Sequence, residues 1–199
     1  LAIALQHPTP IIKTHAALAR AAIAEQLAVS GHWPRLGKLL PALEQILRIQ
    51  GMNEQAIGQS IFAIGSLAGH HVAEEQYSQA FRTTSLLQTL ATKAADSPPL
   101  DAHIQDQAQE TLKHLCSQAV LEQLLNRYLH SEIHQDDAGK LLTAMGKPSA
   151  QFQLQQLMSN ESRHERRKLL ALIQQTGNPA ISILLEQLHK DSPWYVIRN

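Results

Sequence analysis

The sequence predicts an all-α chain, an α-α superhelix (α-solenoid) of stacked antiparallel helical hairpins, and three observations predict it. First, the 199 residues contain four valines, three phenylalanines, three tyrosines and two tryptophans. Strand formers are therefore scarce, while leucine, alanine and glutamine, which keep most of their rotamer freedom in a helix, dominate. Second, apolar residues at i, i+3, i+4 and i+7 recur along the chain. Ala138, Leu141, Leu142 and Met145 form one such stripe, Leu169, Leu172, Ile173 and Thr176 repeat it 31 residues later, and Ala108, Thr111, Leu112 and Leu115 precede it by 30. Third, the punctuation recurs: Gly146-Lys147-Pro148 corresponds to Gly177-Asn178-Pro179, each a helix stop followed by a proline suited to the first turn of the next helix. A unit of two short helices cannot bury its apolar faces alone and must stack on its neighbours.

Taken in order, residues 1–99 read as divergent helical hairpins that pack on the repeats. Thr9-Pro10 starts an alanine-rich helix that ends at Ser30-Gly31. A second begins near Pro34 with Leu36, Leu40, Leu43 and Leu47 on one face, and Pro41 predicts a kink or split within it. A third runs from about Asn53 to Gly69. The fourth carries Ala73, Tyr77, Ala80, Thr84, Leu87, Ala91 and Ala94 at alternating four-and-three spacing, which favours close antiparallel packing. Asp96-Ser97-Pro98-Pro99 then breaks the chain and marks the expected boundary.

Residues 100–199 carry the repeats. The partner helices recur as well: Ala150, Leu154 and Leu157 become Ile181, Leu185 and Leu188 on adding 31, and Leu121 and Leu124 precede Leu154 and Leu157 by 33. This half resembles the HEAT-repeat family, including the bacterial HEAT-like or phycobilisome-lyase-type repeats. The residues that carry the resemblance are Leu141-Leu142-Thr143-Ala144-Met145-Gly146 with Leu154-Gln155-Gln156-Leu157, then Leu172-Ile173-Gln174-Gln175-Thr176-Gly177 with Leu184-Leu185-Glu186-Gln187-Leu188. Asp191-Ser192-Pro193-Trp194-Tyr195-Val196-Ile197-Arg198 opens a last, truncated repeat. The resemblance implies a ladder of turn residues and arginines, which Asn160 with Arg167 and Asp191 with Arg198 fit; the first unit departs from it, with Asp136 and no arginine. It specifies fold and says little of function.

Composition excludes several classes. The 17 basic residues balance 17 acidic ones, so no charge excess attracts nucleic acid or anionic lipid. The single cysteine, Cys116, rules out an internal disulfide framework and any multi-cysteine metal site. No apolar stretch approaches the roughly 20 residues that span a membrane. The chain opens on Leu1 and closes on an apolar-basic run, which reads as a piece of a longer polypeptide. With one thiol and no export signal, the cytoplasm is the expected compartment.

Candidate chemistry concentrates in three places. His70 with Glu74, and His71 with Glu75, lie four apart, so His70, His71 and Glu74 are the best candidate metal ligands. A third ligand from elsewhere is needed, and the plainer expectation is a helix start with acidic residues in its first turns. His130, Glu132, His134, Asp136 and Asp137 read as a polar turn in which an aspartate caps the next helix. Arg163, His164, Arg166, Arg167 and Lys168 are the dense basic run. Arg163 and Arg167 share a face that suits an acidic segment or a phosphate, set against the plainer expectation of a solvated helix face. HEAT-like iron hydroxylases use repeated His-Glu dipeptides, whereas this chain has only His164-Glu165. Cys116 follows Leu115 in a core stripe, no nucleophile sits in a catalytic motif, and no glycine-rich phosphate loop occurs, so no enzyme and no cofactor are expected.

The reading is a noncatalytic protein-protein interaction scaffold, a HEAT-repeat module of a larger bacterial protein. A protein or peptide is its expected partner, with Arg163, Arg166, Arg167 and Trp194 at the contact and 22 glutamines hydrogen-bonding without long-range steering. The alternative is a HEAT-like nucleic-acid-binding protein, or a metal-dependent or lyase-type enzyme.

Overall fold

The computed structural model describes residues 9–49, 51–92 and 99–188, and every regular element among them is helical. In chain order these are α1 (Pro10–Val29), α2 (Trp33–Arg48), α3 (Glu54–Ala73), α4 (Tyr77–Ala91), α5 (Pro99–Leu115), α6 (Gln118–His130), α7 (Gln135–Ala144), α8 (Lys147–Ser159), α9 (Arg163–Thr176) and α10 (Asn178–Leu188). The all-α expectation holds. The chain divides into two compact units, Leu1–Leu115 and Cys116–Asn199. Residues 96–98 of the expected boundary lie outside the described residues, and Pro99 opens α5, which packs on α3 and α4 within the first unit.

In the first unit α3 is the centre and touches the other four helices. Its sequence explains why: Ala56, Ile57, Ile61, Ala63, Ile64, Leu67, Ala68 and Val72 are buried over most of its circumference, leaving only a narrow strip with Gln55, Gln59, Phe62 and Ser66 towards water. Asn53 caps it, its side-chain oxygen accepting from the N–H groups of Gln55 (2.9 Å) and Ala56 (3.3 Å). On the α5 side, small residues allow a close approach. A methyl group at Gly65 would collide with the Thr111 methyl, and one at Gly58 would sit 3.3 Å from the Gln107 amide. α1 closes the opposite side with the alanines Ala17, Ala21 and Ala24, all fully buried.

Three expectations are corrected here. α3 does not stop at Gly69; it continues to Ala73, because Gly69 faces Leu115 in the interior of the α3 and α5 contact. The turn instead comes at Glu74-Glu75, where Glu75 takes the left-handed conformation (φ 56), and the fourth helix starts at Tyr77 rather than before Ala73. Ala94 lies outside the described residues. Pro41 does not split α2, which runs through it with Leu36, Leu40, Leu43 and Leu47 buried as expected. The proline has no N–H, so the Gly37 carbonyl lacks its usual donor four residues on.

In the second unit α7 packs on α6 and α9, and α8 packs on α9 and α10. The repeat is visible in the backbone. Gly146, between α7 and α8, has φ 65 and ψ −137, while Gly177, between α9 and α10, has φ 66 and ψ −131. The stripes match too: Ala138, Leu141, Leu142 and Met145 are buried, as are Leu169, Leu172, Ile173 and Thr176. Between the hairpins a polar bridge closes the core, with Thr176 Oγ1 donating to Gln153 Oε1 (3.3 Å) and Gln153 Nε2 donating to Ser149 Oγ (3.0 Å). Gly139 lets the Tyr128 ring approach α7, for a methyl group there would lie 3.0 Å from two ring carbons.

Candidate functional site

Two surfaces carry the polar chemistry, one in each unit. In the first, α2, α3 and α4 enclose a cleft of about 340 Å³, a size that accepts a small ligand or a few side chains of a peptide. Its floor is apolar, with Leu40 and Leu67, and one wall is an aromatic stack. The Trp33 indole lies on the His70 imidazole with ring centres 4.6 Å apart and planes 11° apart. The rim holds Gln76, Gln79 and Arg82, whose guanidinium donates to Glu44 at 3.2 Å. Nothing in the hydrophobic periodicity signals this cleft, since Trp33 and His70 lie on different helices.

His71 stands beside the stack. Burial holds its imidazole below the ordinary histidine range, the neighbouring His70 lowers it further, and a hydrogen bond to the Gln79 backbone partly opposes both. Its Nδ1 is buried with no hydrogen-bond partner, so the ring is kept neutral. The histidines sit in the last turn of α3, not at a helix start as expected, and Glu74 is its exposed C-cap residue. Among the described residues no set of three or more His, Cys, Asp or Glu side chains converges on a metal position, so His70, His71 and Glu74 are not brought together as ligands.

In the second unit the basic run forms the first half of α9. Ser162 caps the helix, its hydroxyl accepting from the Glu165 N–H at 3.4 Å. Asn160 completes the turn: its side-chain oxygen accepts from the Ser162 N–H (2.8 Å) and its amide donates to Glu165 Oε2 (2.7 Å). The local capping arrangement therefore occupies Asn160, which makes no contact with Arg167 of the kind the ladder requires. Ser162-x-x-Glu165 has capping-box spacing readable in the sequence, although here Asn160 rather than Glu165 accepts from the Ser162 N–H. Asp191, Trp194 and Arg198 lie outside the described residues.

Lys168 turns away from the rest of the run. Its ammonium donates to the Leu129 carbonyl at 2.7 Å, at the end of α6, and the Tyr128 hydroxyl donates to the Lys168 carbonyl at 3.1 Å. Burial, then the Asp136 charge, pushes the Tyr128 phenol up, keeping it a donor. In the turn before α7, His134 takes the N-cap position. Asp136 and Asp137 fall in the first helical turn rather than at the cap, where they still complement the helix dipole. Cys116 is half-buried, and burial pushes its thiol up to about 12, which removes thiolate character at neutral pH.

No family model matches the chain, and no curated protein or solved structure matches it either. No helix among the described residues is long and apolar enough to cross a membrane.

Proposed function

We propose that the chain is a noncatalytic protein-interaction scaffold, an α-solenoid module of HEAT type in residues 100–199 with divergent hairpins before it, working in the cytoplasm. The observation that supports this most is the second unit's repetition. Two successive hairpins turn at glycines of the same conformation, Gly146 and Gly177, and bury the same stripe on their first helices. Stacked hairpins of this kind present long, regular outer faces, which is the property that repeat proteins use to hold other proteins.

Affinity capture with the full chain tests the reading, followed by titration calorimetry with each purified captured protein. The expected result is at least one saturable complex. Failure to capture any protein, together with measured turnover of a small substrate, would overturn it.

A further inference from the structure

We infer that the outer face of α9 docks a short acidic segment of a protein partner, an inference that rests on the interaction reading above and names the chemistry of the partner. Arg163 and Arg167 lie one turn apart, about 6 Å along the helix axis, and Arg166 flanks them. Arg163 and Arg167 are exposed and Arg166 half-buried, and none of the three guanidinium groups makes a hydrogen bond or ion pair with any described residue. Their neighbours are engaged elsewhere. The Glu165 carboxylate is held by the Asn160 amide and makes no ion pair with the arginines, and the Lys168 ammonium is directed to the end of α6. Three positive charges thus concentrate on one helix of a chain whose net charge is zero.

The geometry selects carboxylates on a peptide over a nucleic-acid backbone. A guanidinium fork pairs bidentately with a carboxylate, and two forks one turn apart match acidic side chains on a short segment. Leu170, 41% exposed and one turn beyond Arg166 and Arg167, supplies an apolar contact beside the charges. A duplex engages proteins through some 6–10 phosphate contacts, whereas three arginines give a salt slope of only about −3 and weak binding.

Fluorescence anisotropy with a labelled Glu-Asp-Leu-Glu-Asp peptide tests the inference, with the Gln-Asn-Leu-Gln-Asn peptide and a mixed-sequence DNA duplex as comparison probes. The acidic peptide is expected to bind at low ionic strength and to weaken as salt rises, the amide peptide not to bind. Arg163→Glu with Arg167→Glu should weaken acidic-peptide binding at least about tenfold, and the neutral Arg163→Gln with Arg167→Gln should weaken it less. Lys147→Glu on α8, a reversal away from this face, should leave it within about twofold. Equal binding of the amide peptide, no loss in the arginine variants, or tighter arginine-dependent binding of the duplex would each overturn the inference. The two readings fail separately: if wild type and the charge-reversed protein capture the same protein equally, the α9 assignment falls and the scaffold stands, whereas no captured protein together with turnover of a small substrate removes the scaffold itself.

Discussion

Gly65→Ala is the sharpest test of how the first unit packs. In a solvated helix this change stabilises by about 1 kcal/mol, because alanine loses less backbone entropy than glycine. At Gly65 the new methyl group collides with the Thr111 methyl of α5, and Thr111 cannot simply rotate away, since its hydroxyl donates to the Gln107 carbonyl at 2.8 Å. Overpacking of this kind costs about 1–3 kcal/mol, so after the propensity gain the net loss is about 1 kcal/mol. Gly37 on α2 provides the internal standard, for a methyl group there meets nothing within 4 Å and Gly37→Ala should stabilise by about 0.5–1 kcal/mol. Thr111→Ser keeps the hydroxyl and removes the methyl, so Gly65→Ala in that background should become neutral or stabilising. Urea unfolding followed by circular dichroism gives all four values, provided the denaturant slope is unchanged. If Gly65→Ala stabilises as much as Gly37→Ala, or if Thr111→Ser brings no rescue, α3 and α5 do not approach as described.

Gly146→Ala and Gly177→Ala should each cost about 1–3 kcal/mol, because both positions hold a backbone conformation that L side chains rarely adopt; a neutral result at either breaks the equivalence of the two hairpins. Arg20→Met should raise stability by about 1 kcal/mol, since Arg20 is only 8% exposed and makes no ion pair or hydrogen bond with any described residue; a lower melting midpoint would show that the guanidinium has a stabilising role. The neutral His71 makes stability depend on pH. Above the unfolded histidine value of about 6.5 neither state binds the proton, and below it the unfolded chain takes up a proton that the folded ring resists. Stability should therefore fall as pH drops from 7 through the unfolded value towards the lower folded one, and His71→Gln should flatten that fall; an unchanged slope refutes the assignment.

The second unit was legible because its signals are local and repeated. A glycine, a proline two residues on and a stripe at helical spacing define each hairpin without knowledge of what packs against it. The first unit was less so, and Gly69 shows why. Read alone, a glycine after an apolar run marks a helix end, but here it lies where Leu115 of α5 approaches, 46 residues away in sequence, and the helix continues. The cleft was hidden for the same reason. The Trp33 and His70 stack joins positions 37 residues apart, and no spacing rule connects a residue at the start of one helix with one at the end of the next. At Asn160 the ladder expectation meets a local competitor, for that side chain is taken up by Ser162 and Glu165 within six residues, while Asp191 and Arg198 lie outside the described residues.

The same repeat that made α8 and α10 readable separates sequence from surroundings. Ala150 on α8 is fully buried, and Ile181, its counterpart on α10, is 52% exposed; Leu154 is partly buried in the apolar cluster with Ile173 and Ile183, while its counterpart Leu185 is 52% exposed. The spacing is identical, so the difference comes from neighbours: α10 lies against α8, and no described helix lies against the corresponding face of α10. Leu154→Ala should consequently cost about 1–2 kcal/mol, through lost burial and an unfilled space, and Leu185→Ala less than about 0.5 kcal/mol. Urea midpoints of the two variants measure the contrast directly. If Leu185→Ala proves as costly as Leu154→Ala, the α10 face is already covered in solution, and a concentration dependence of that cost then identifies the cover as a second copy of the chain.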